Sequence, residues 1–232
     1  MRPPLNSYDK DQHQHVLYCP FAICLDNTKF AMPTKGSYER FYPIGAVIHY
    51  TAGNYKNADV DAYSAISNGI KHNYCYFCIS ATGTILQAFP LNKWGYHAGQ
   101  SNYPNVGVGV SRHLVGIEIC CAGLLSKRED GKFETWFKQP VPDDQVRYSK
   151  TDANIKEGHY HKYTDEQVAA LSSLLIWLKW NNEEVFNLDF VLGHDEVAQR
   201  RKSDPGASLP YTMPEYRKIL KDSYKKLAAT TK

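Results

Sequence analysis

The chain has 232 residues, 27 basic and 24 acidic, for a formal charge of +3. That length can bury a full core, so a single domain with insertions is expected. So weak a positive balance argues against nucleic acid as a main partner, which needs clustered Lys and Arg, and leaves at most a mild attraction to an anionic polymer. No apolar run follows Met1-Arg2-Pro3-Pro4-Leu5-Asn6, and none approaches the length of a membrane span. The expectation is a protein made in the cytoplasm without a signal peptide and without membrane insertion.

Residues 1–43 carry Pro3, Pro4, Pro20, Pro33 and Pro43 and show no periodicity. They read as an N-terminal arm that covers the domain and could contribute one edge strand; His13 and His15 within it read as solvated. Ile44 to His49 is a β-branched run and hence a buried strand. Asn57 to Ile70 has an apolar face of Val60, Tyr63, Ala65, Ile66 and Ile70, with Asn57 as N-cap, and reads as a helix. Tyr74–Ile79 and Thr84–Phe89 read as two strands joined at Ala81-Thr82-Gly83 in a hairpin. Trp94 to Pro104 is a Gly- and aromatic-rich loop, and Val115 to Cys120 is another strand. Glu118 sits inside that apolar strand, where a carboxylate needs a reason.

The segment 124–163 is polar and aperiodic, an insertion or flap without a core of its own. Thr164-x-x-Gln167 is a capping box that opens a helix running to about Trp180, with Val168, Leu171, Leu174, Leu175 and Leu178 on one stripe. Leu188 to Leu192 reads as a short buried strand. Thr212-x-x-Glu215 opens a last helix with Tyr216, Ile219, Leu220 and Tyr224 inward, and 228–232 should fray. The six cysteines form no zinc-knuckle pair, and Cys75-x-x-Cys78 falls in a strand, so they read as buried thiols. The fold class is α/β: a central mixed β-sheet flanked by helices, because the hairpin rules out a wholly parallel sheet. The domain limits are 44–227, with the insertion at about 124–163.

His49 and His194 both stand at the ends of short strands. If those strands are parallel neighbours, the two imidazoles meet, and Asp204 can return beside them in the tight loop that ends Pro205-Gly206. Two imidazoles, a carboxylate and an open fourth position would make a hydrolytic zinc centre. The plainer alternative is a capped strand end, an exposed turn and a helix-capping carboxylate. Glu118 could equally be half of a salt bridge to Arg201, and Lys202 a solvated lysine.

The blocks Val47-Ile48-His49-Tyr50-Thr51-Ala52, Trp94-Gly95-Tyr96-His97-Ala98-Gly99, Val115-Gly116-Ile117-Glu118 and Gly193-His194-Asp195-Glu196, followed by Arg201-Lys202-Ser203-Asp204-Pro205-Gly206, resemble the zinc-dependent N-acetylmuramoyl-L-alanine amidases of the type-2 amidase family, which share a fold with peptidoglycan recognition proteins. The resemblance covers roughly 44–220. It implies Zn2+ as cofactor, held by His49, His194 and Asp204, with Glu118 activating water and Lys202 stabilising charge on the carbonyl. It places Trp94 and His97 along the substrate groove; Tyr76 is a further substrate contact. The implied activity is hydrolysis of the amide between N-acetylmuramic acid and L-alanine in peptidoglycan or muropeptides. The alternatives are a muropeptide-binding module that does not cut, and a zinc amidase for another amide. The setting would be an endolysin, a secreted antimicrobial effector or a recycling enzyme, acting on wall fragments in the cytoplasm or on the cell wall after delivery or lysis. A delivery apparatus or an inhibitor protein would then be a further partner.

Overall fold

A computed structural model describes residues 15–53 and 58–230. His13 and the expected N-cap Asn57 lie outside them. The elements begin with β1 (Ile23–Cys24), β2 (Gly36–Ser37), β3 (Gly45–Tyr50), α1 (Ala58–Lys71), β4 (Phe77–Ile79) and β5 (Ile85–Gln87). Then come β6 (Lys93–Trp94), β7 (Asn102–Tyr103), β8 (Gly107–Val108) and β9 (Leu114–Ile119). The insertion supplies β10 (Ser126–Lys127), β11 (Phe133–Glu134), β12 (Pro140–Val141), β13 (Val146–Ser149) and β14 (Gly158–His161). The chain closes with α2 (Asp165–Asn181), β15 (Val191–Gly193), α3 (His194–Val197) and α4 (Met213–Thr230).

The central sheet has the order β1-β5-β4-β9-β3-β15. Strands β4, β9, β3 and β15 are parallel, β5 is antiparallel to β4, and β1 from the arm pairs along β5 as an edge strand. The mixed sheet is thus the expected one, and its hairpin closes through Gly83 N–H to Ser80 O at 2.9 Å. Ala46, Ile48, Ile117 and Ile119 are buried with Leu171, Leu174, Leu175 and Leu178 of α2 in the main core. The Thr164 capping box forms as read: Thr164 Oγ1 accepts from Gln167 N–H at 3.1 Å, and Gln167 Oε1 accepts from Thr164 N–H at 3.0 Å.

Several expectations need correction. The stretch 188–192 is not one strand: Leu188–Phe190 form a 3-10 turn before β15. Asn187 causes this, since its side chain accepts from Asp189 N–H at 2.9 Å and its carbonyl from Phe190 N–H at 3.0 Å. Val60 faces out of α1 because the buried stripe runs through Ala62, Ile66 and Gly69. Likewise Ile219 is exposed, while Tyr216, Leu220 and Tyr224 at four-residue spacing go inward. Helix α4 continues through Thr230 instead of fraying at 228, since Ala228 packs on the core and Thr230 Oγ1 donates to Leu227 O at 2.8 Å. The insertion does have a small core: Ala122, Leu125 and Val141 bury together beside the β10-β11-β12 sheet, with Phe133 and Val146 against them. Too few apolar residues build it to leave a periodic trace.

Candidate active site

Register brings the distant histidines together. Gly193 pairs with Ile48 and Glu118 with His49, so His194 leaves β15 directly beside the end of β3. Gly193 must be glycine here, because a Cβ would sit 2.1 Å from Asp195 Oδ1. His194, at the strand end, opens α3, whose Glu196 accepts from Gly193 N–H at 2.9 Å. Glu196 also pairs with Arg217 of α4 at 2.8 Å, which anchors the short helix.

The ligand atoms form a tight triangle. His49 Nδ1 lies 2.9 Å from His194 Nδ1 and 3.0 Å from Asp204 Oδ2, and His194 Nδ1 lies 2.9 Å from Asp204 Oδ2. All three residues are buried. The hydrogen-bond network assigns the tautomers. His97 Nε2–H donates to Leu114 O at 2.9 Å, which makes His97 Nδ1 an acceptor. His49 Nε2–H therefore donates to His97 Nδ1 at 3.1 Å, and His49 Nδ1 is left as a lone pair. His194 Nε2–H donates to Ala98 O at 3.0 Å, with the same result at its Nδ1. Three lone pairs thus converge at about 3 Å, an arrangement that repels itself unless positive charge lies among them.

Electrostatics point the same way. Burial, followed by the charge of His194, pushes His49 down to about 4 against the pull of Asp204, so its imidazole is neutral. Burial and the adjacent His49 likewise hold His97 well below the usual histidine range. For Asp204, burial pushes upward, but the contacts with His194 and His49 together outweigh it and hold the carboxyl well below the ordinary range. Two imidazole nitrogens and an ionised carboxylate are a fitting donor set for zinc.

These residues form the floor of a groove of about 540 Å³. Asp61, Ser64 and Asn68 of α1 line one wall, Arg201 and Lys202 the other, with Glu118 and Tyr76 below. Glu118 Oε2 is buried and has no hydrogen-bond partner among the described residues. Burial, then the negative Asp204, lifts this carboxyl to about 8 against the opposing pull of Lys202. The salt bridge to Arg201 does not form: that guanidinium donates instead to Ala98 O at 2.8 Å and Gln100 O at 2.7 Å. Tyr76 reaches the groove, but its hydroxyl donates to Ala65 O at 2.8 Å. Trp94 does not line the groove; it packs edge-on to Tyr96 with ring centroids 5.6 Å apart. His97 lies beneath His49, in space left by Gly116, whose Cβ would meet the His97 ring at 2.6 Å.

Some supporting residues carried no sequence signal. Tyr163 donates to His49 O at 3.0 Å, and Tyr50 bonds Ser203 Oγ at 2.6 Å. Asn154 from the insertion donates to Asp195 Oδ2 at 2.9 Å and accepts from Met213 N–H at 3.0 Å. Asp195 in turn accepts from Gly206 N–H at 3.2 Å and donates its own N–H to Asp204 O at 2.8 Å, so the ligand loop is clamped from outside. Neither His159 nor His161 lines the groove: His159 stacks on Phe133 at 4.1 Å, and His161 is buried against Cys121. The six cysteines are free thiols, all buried but Cys24.

The sequence profile of the N-acetylmuramoyl-L-alanine amidase family (Amidase_2) matches residues 40–207. No curated protein sequence matches the chain. Among solved structures, a selenomethionine derivative of AmpD superposes with a TM-score of 0.51 at 19% identity, over 87% of this chain and 96% of that one. AmiD from E. coli, an N-acetylmuramyl-L-alanine amidase solved with anhydro-N-acetylmuramic acid-L-Ala-D-gamma-Glu-L-Lys, gives 0.50 at 20% identity, over 73% of this chain and 54% of that one. PGRP-SA of Apis mellifera gives 0.50 at 15% identity, over 81% of this chain and 91% of that one. At such identities these likenesses establish the shared fold.

Proposed function

We propose, from the premise that this chain belongs to the N-acetylmuramoyl-L-alanine amidase family, that it is a zinc-dependent hydrolase cutting the amide between N-acetylmuramic acid and L-alanine. One observation carries this reading: three converging lone pairs lie on the floor of a groove that also presents an unpartnered carboxylate oxygen and a lysine. His49, His194 and Asp204 would hold the ion. When bound, it lowers the pKa of a water and polarises a carbonyl.

The remaining work falls to the chain. Glu118 accepts the proton of the attacking water at its carboxylate and delivers it to the departing amine nitrogen of L-alanine. Burial raises this carboxyl to about 8, which makes its ionised form a stronger base than a free glutamate and lets it hold the proton until the amine departs. Lys202 donates to the oxygen that gains negative charge as the carbonyl becomes tetrahedral. No ion pair engages its ammonium among the described residues, which leaves it available for that task. His97 keeps the His49 ring in one tautomer, and Ala98 O does the same for His194.

The test is direct. Zinc-loaded protein should release stem peptides with a free L-alanine N-terminus from purified peptidoglycan, and a chelator should stop it. Intact muropeptide recovered after long incubation with folded, zinc-loaded protein would replace this reading with one of binding without cutting. An enzyme of intact walls, such as an endolysin or a delivered effector, should favour sacculi over soluble anhydro-muropeptides. The arm and the insertion, added to the sheet and helices that hold the site, support that setting. No helix among the described residues is long and apolar enough to cross a membrane.

A further inference from the structure

The insertion ends in a feature that the hydrolytic reading leaves unused. Between β11 and β12 the chain turns at Thr135–Gln139, and this turn is built rather than loose. Thr135 is fully buried, its N–H donates to Gln139 O at 2.8 Å, and its Oγ1 accepts from Gln139 N–H at 3.0 Å. Lys138 N–H closes onto Thr135 O at 3.0 Å, and Lys138 Nζ pairs with Glu134 at 2.7 Å. At the tip stand Trp136, 69% exposed, and Phe137, with ring centroids 5.3 Å apart and planes at 86°. The turn's hydrogen bonds hold a tryptophan in water, and a single exposed ring needs a second observation before it is given a role.

The position of Trp136 supplies one. Its Nε1–H donates to Ala52 O at 2.7 Å. Ala52 lines the active-site groove, three residues after the ligand His49. The polar edge of the indole is thereby fixed to the groove's lip while most of the ring remains open to solvent. Within the groove the lining is mixed: Asp61, Arg201 and Lys202 carry charge, while Val60, Ala65 and Tyr74 are apolar. The charged side chains suit a peptide of short acidic and basic residues. An indole suits something flat with an apolar face, and a pyranose ring presents such a face in its axial C–H bonds.

We propose that Trp136 is a saccharide platform at the rim, which stacks against a sugar ring of the glycan next to the one that carries the scissile amide. The proposal rests on the amidase reading for the identity of its polymer, but not for the binding event itself. The insertion would then set glycan-length preference, a property the core fold does not specify.

Two measurements test it. The first compares zinc-loaded wild type with Trp136→Ala on muropeptides carrying one or two sugar rings. The variant should lose about tenfold in kcat/KM on the two-ring substrate and less than about twofold on the one-ring substrate. Trp136→Phe, which keeps a ring but not the bond to Ala52, should retain part of the gain. Equal loss on both substrates, a loss that follows peptide length, or no loss overturns the proposal. The second is electrophoresis through a gel containing a soluble, peptide-free polymer of β-1,4-linked N-acetylglucosamine. Wild type should be retarded and Trp136→Ala should not. If this difference holds while no muropeptide is cut, the amidase reading fails and the platform stands. If muropeptides are cut but both proteins migrate alike, the platform fails alone.

Discussion

At the carboxyl ends of β3, β9 and β15, His49 and His194 are placed by strand register, and the carbonyls of Leu114 (through His97) and Ala98 dictate their tautomers. In the segment 124–163, short strands of two to four residues pack around Leu125 and Val141, which bury with Ala122 just before it. The first region is over-determined, since one imidazole is held from its other nitrogen by a residue that is itself held. The second holds what it touches from outside: Asn154 on Asp195, Trp136 on Ala52, Arg147 on Ala207 O, and Tyr160 packed over Gly206. Chemistry that tolerates little displacement thus sits on the sheet, and the insertion supplies clamps and a rim. Substitutions should divide accordingly, with rate and metal affinity failing in the first region and stability or substrate preference shifting in the second.

The largest effect is expected at the triangle itself. Asp204→Ala should abolish hydrolysis and strip zinc, read by metal content after dialysis, while circular dichroism stays near wild type. Next come the groups that move protons and offset charge. Glu118→Gln should lower kcat by roughly 10²- to 10⁴-fold, and Lys202→Ala by roughly 10²-fold, both with zinc retained. A Lys202→Ala protein that loses metal along with activity would contradict the division of labour drawn here. His97→Phe removes the acceptor for His49 Nε2–H and should weaken zinc by about 10- to 100-fold. Competition with a chromophoric chelator would measure it.

The smallest effect belongs to the insertion. Burial pushes His161 down to about 4 from 6.5, so it is neutral in the fold. As pH falls below 6.5 the unfolded chain takes up the proton and the folded chain does not, so stability is lost through the window down to about 4. About one pH unit into that window the loss should be about 1 kcal/mol. Denaturant midpoints of wild type and His161→Gln as a function of pH would show whether the slope disappears with the imidazole.

Much of the sheet, and the meeting of His49, His194 and Asp204, could be read in advance because each left a local mark. Ile44 to His49 and Val115 to Cys120 are β-branched runs, the capping box at Thr164 is a four-residue pattern, and Gly193-His194 with the Arg201–Gly206 block is compact in sequence. What escaped depends on contacts that pattern does not encode. Asn187 turned an apparent strand into a 3-10 turn through one side-chain bond. Trp94 stands in a block that the family resemblance tied to the groove, yet its ring is turned against Tyr96. Asn154 and Tyr163 reach the site across long sequence separations from polar surroundings. In the insertion, Val141 and Leu125 bury at a spacing too irregular for any periodicity to reveal.

The register that joins β3 to β15 has one more consequence. His49 and His194 are 145 residues apart in the chain, and they meet only after β15 has docked on β3. An unfolded chain therefore lacks this three-residue site and offers only local pairs such as His159-x-His161 and Cys75-x-x-Cys78, so an ion held at the site would favour the native ensemble. Zinc bound there would stabilise the fold: each tenfold rise in free ion above its dissociation constant should add up to about 1.4 kcal/mol to unfolding. A melting midpoint that climbs with zinc in wild type but stays flat in Asp204→Ala would make heat, not catalysis, the reporter of whether strand order has been achieved.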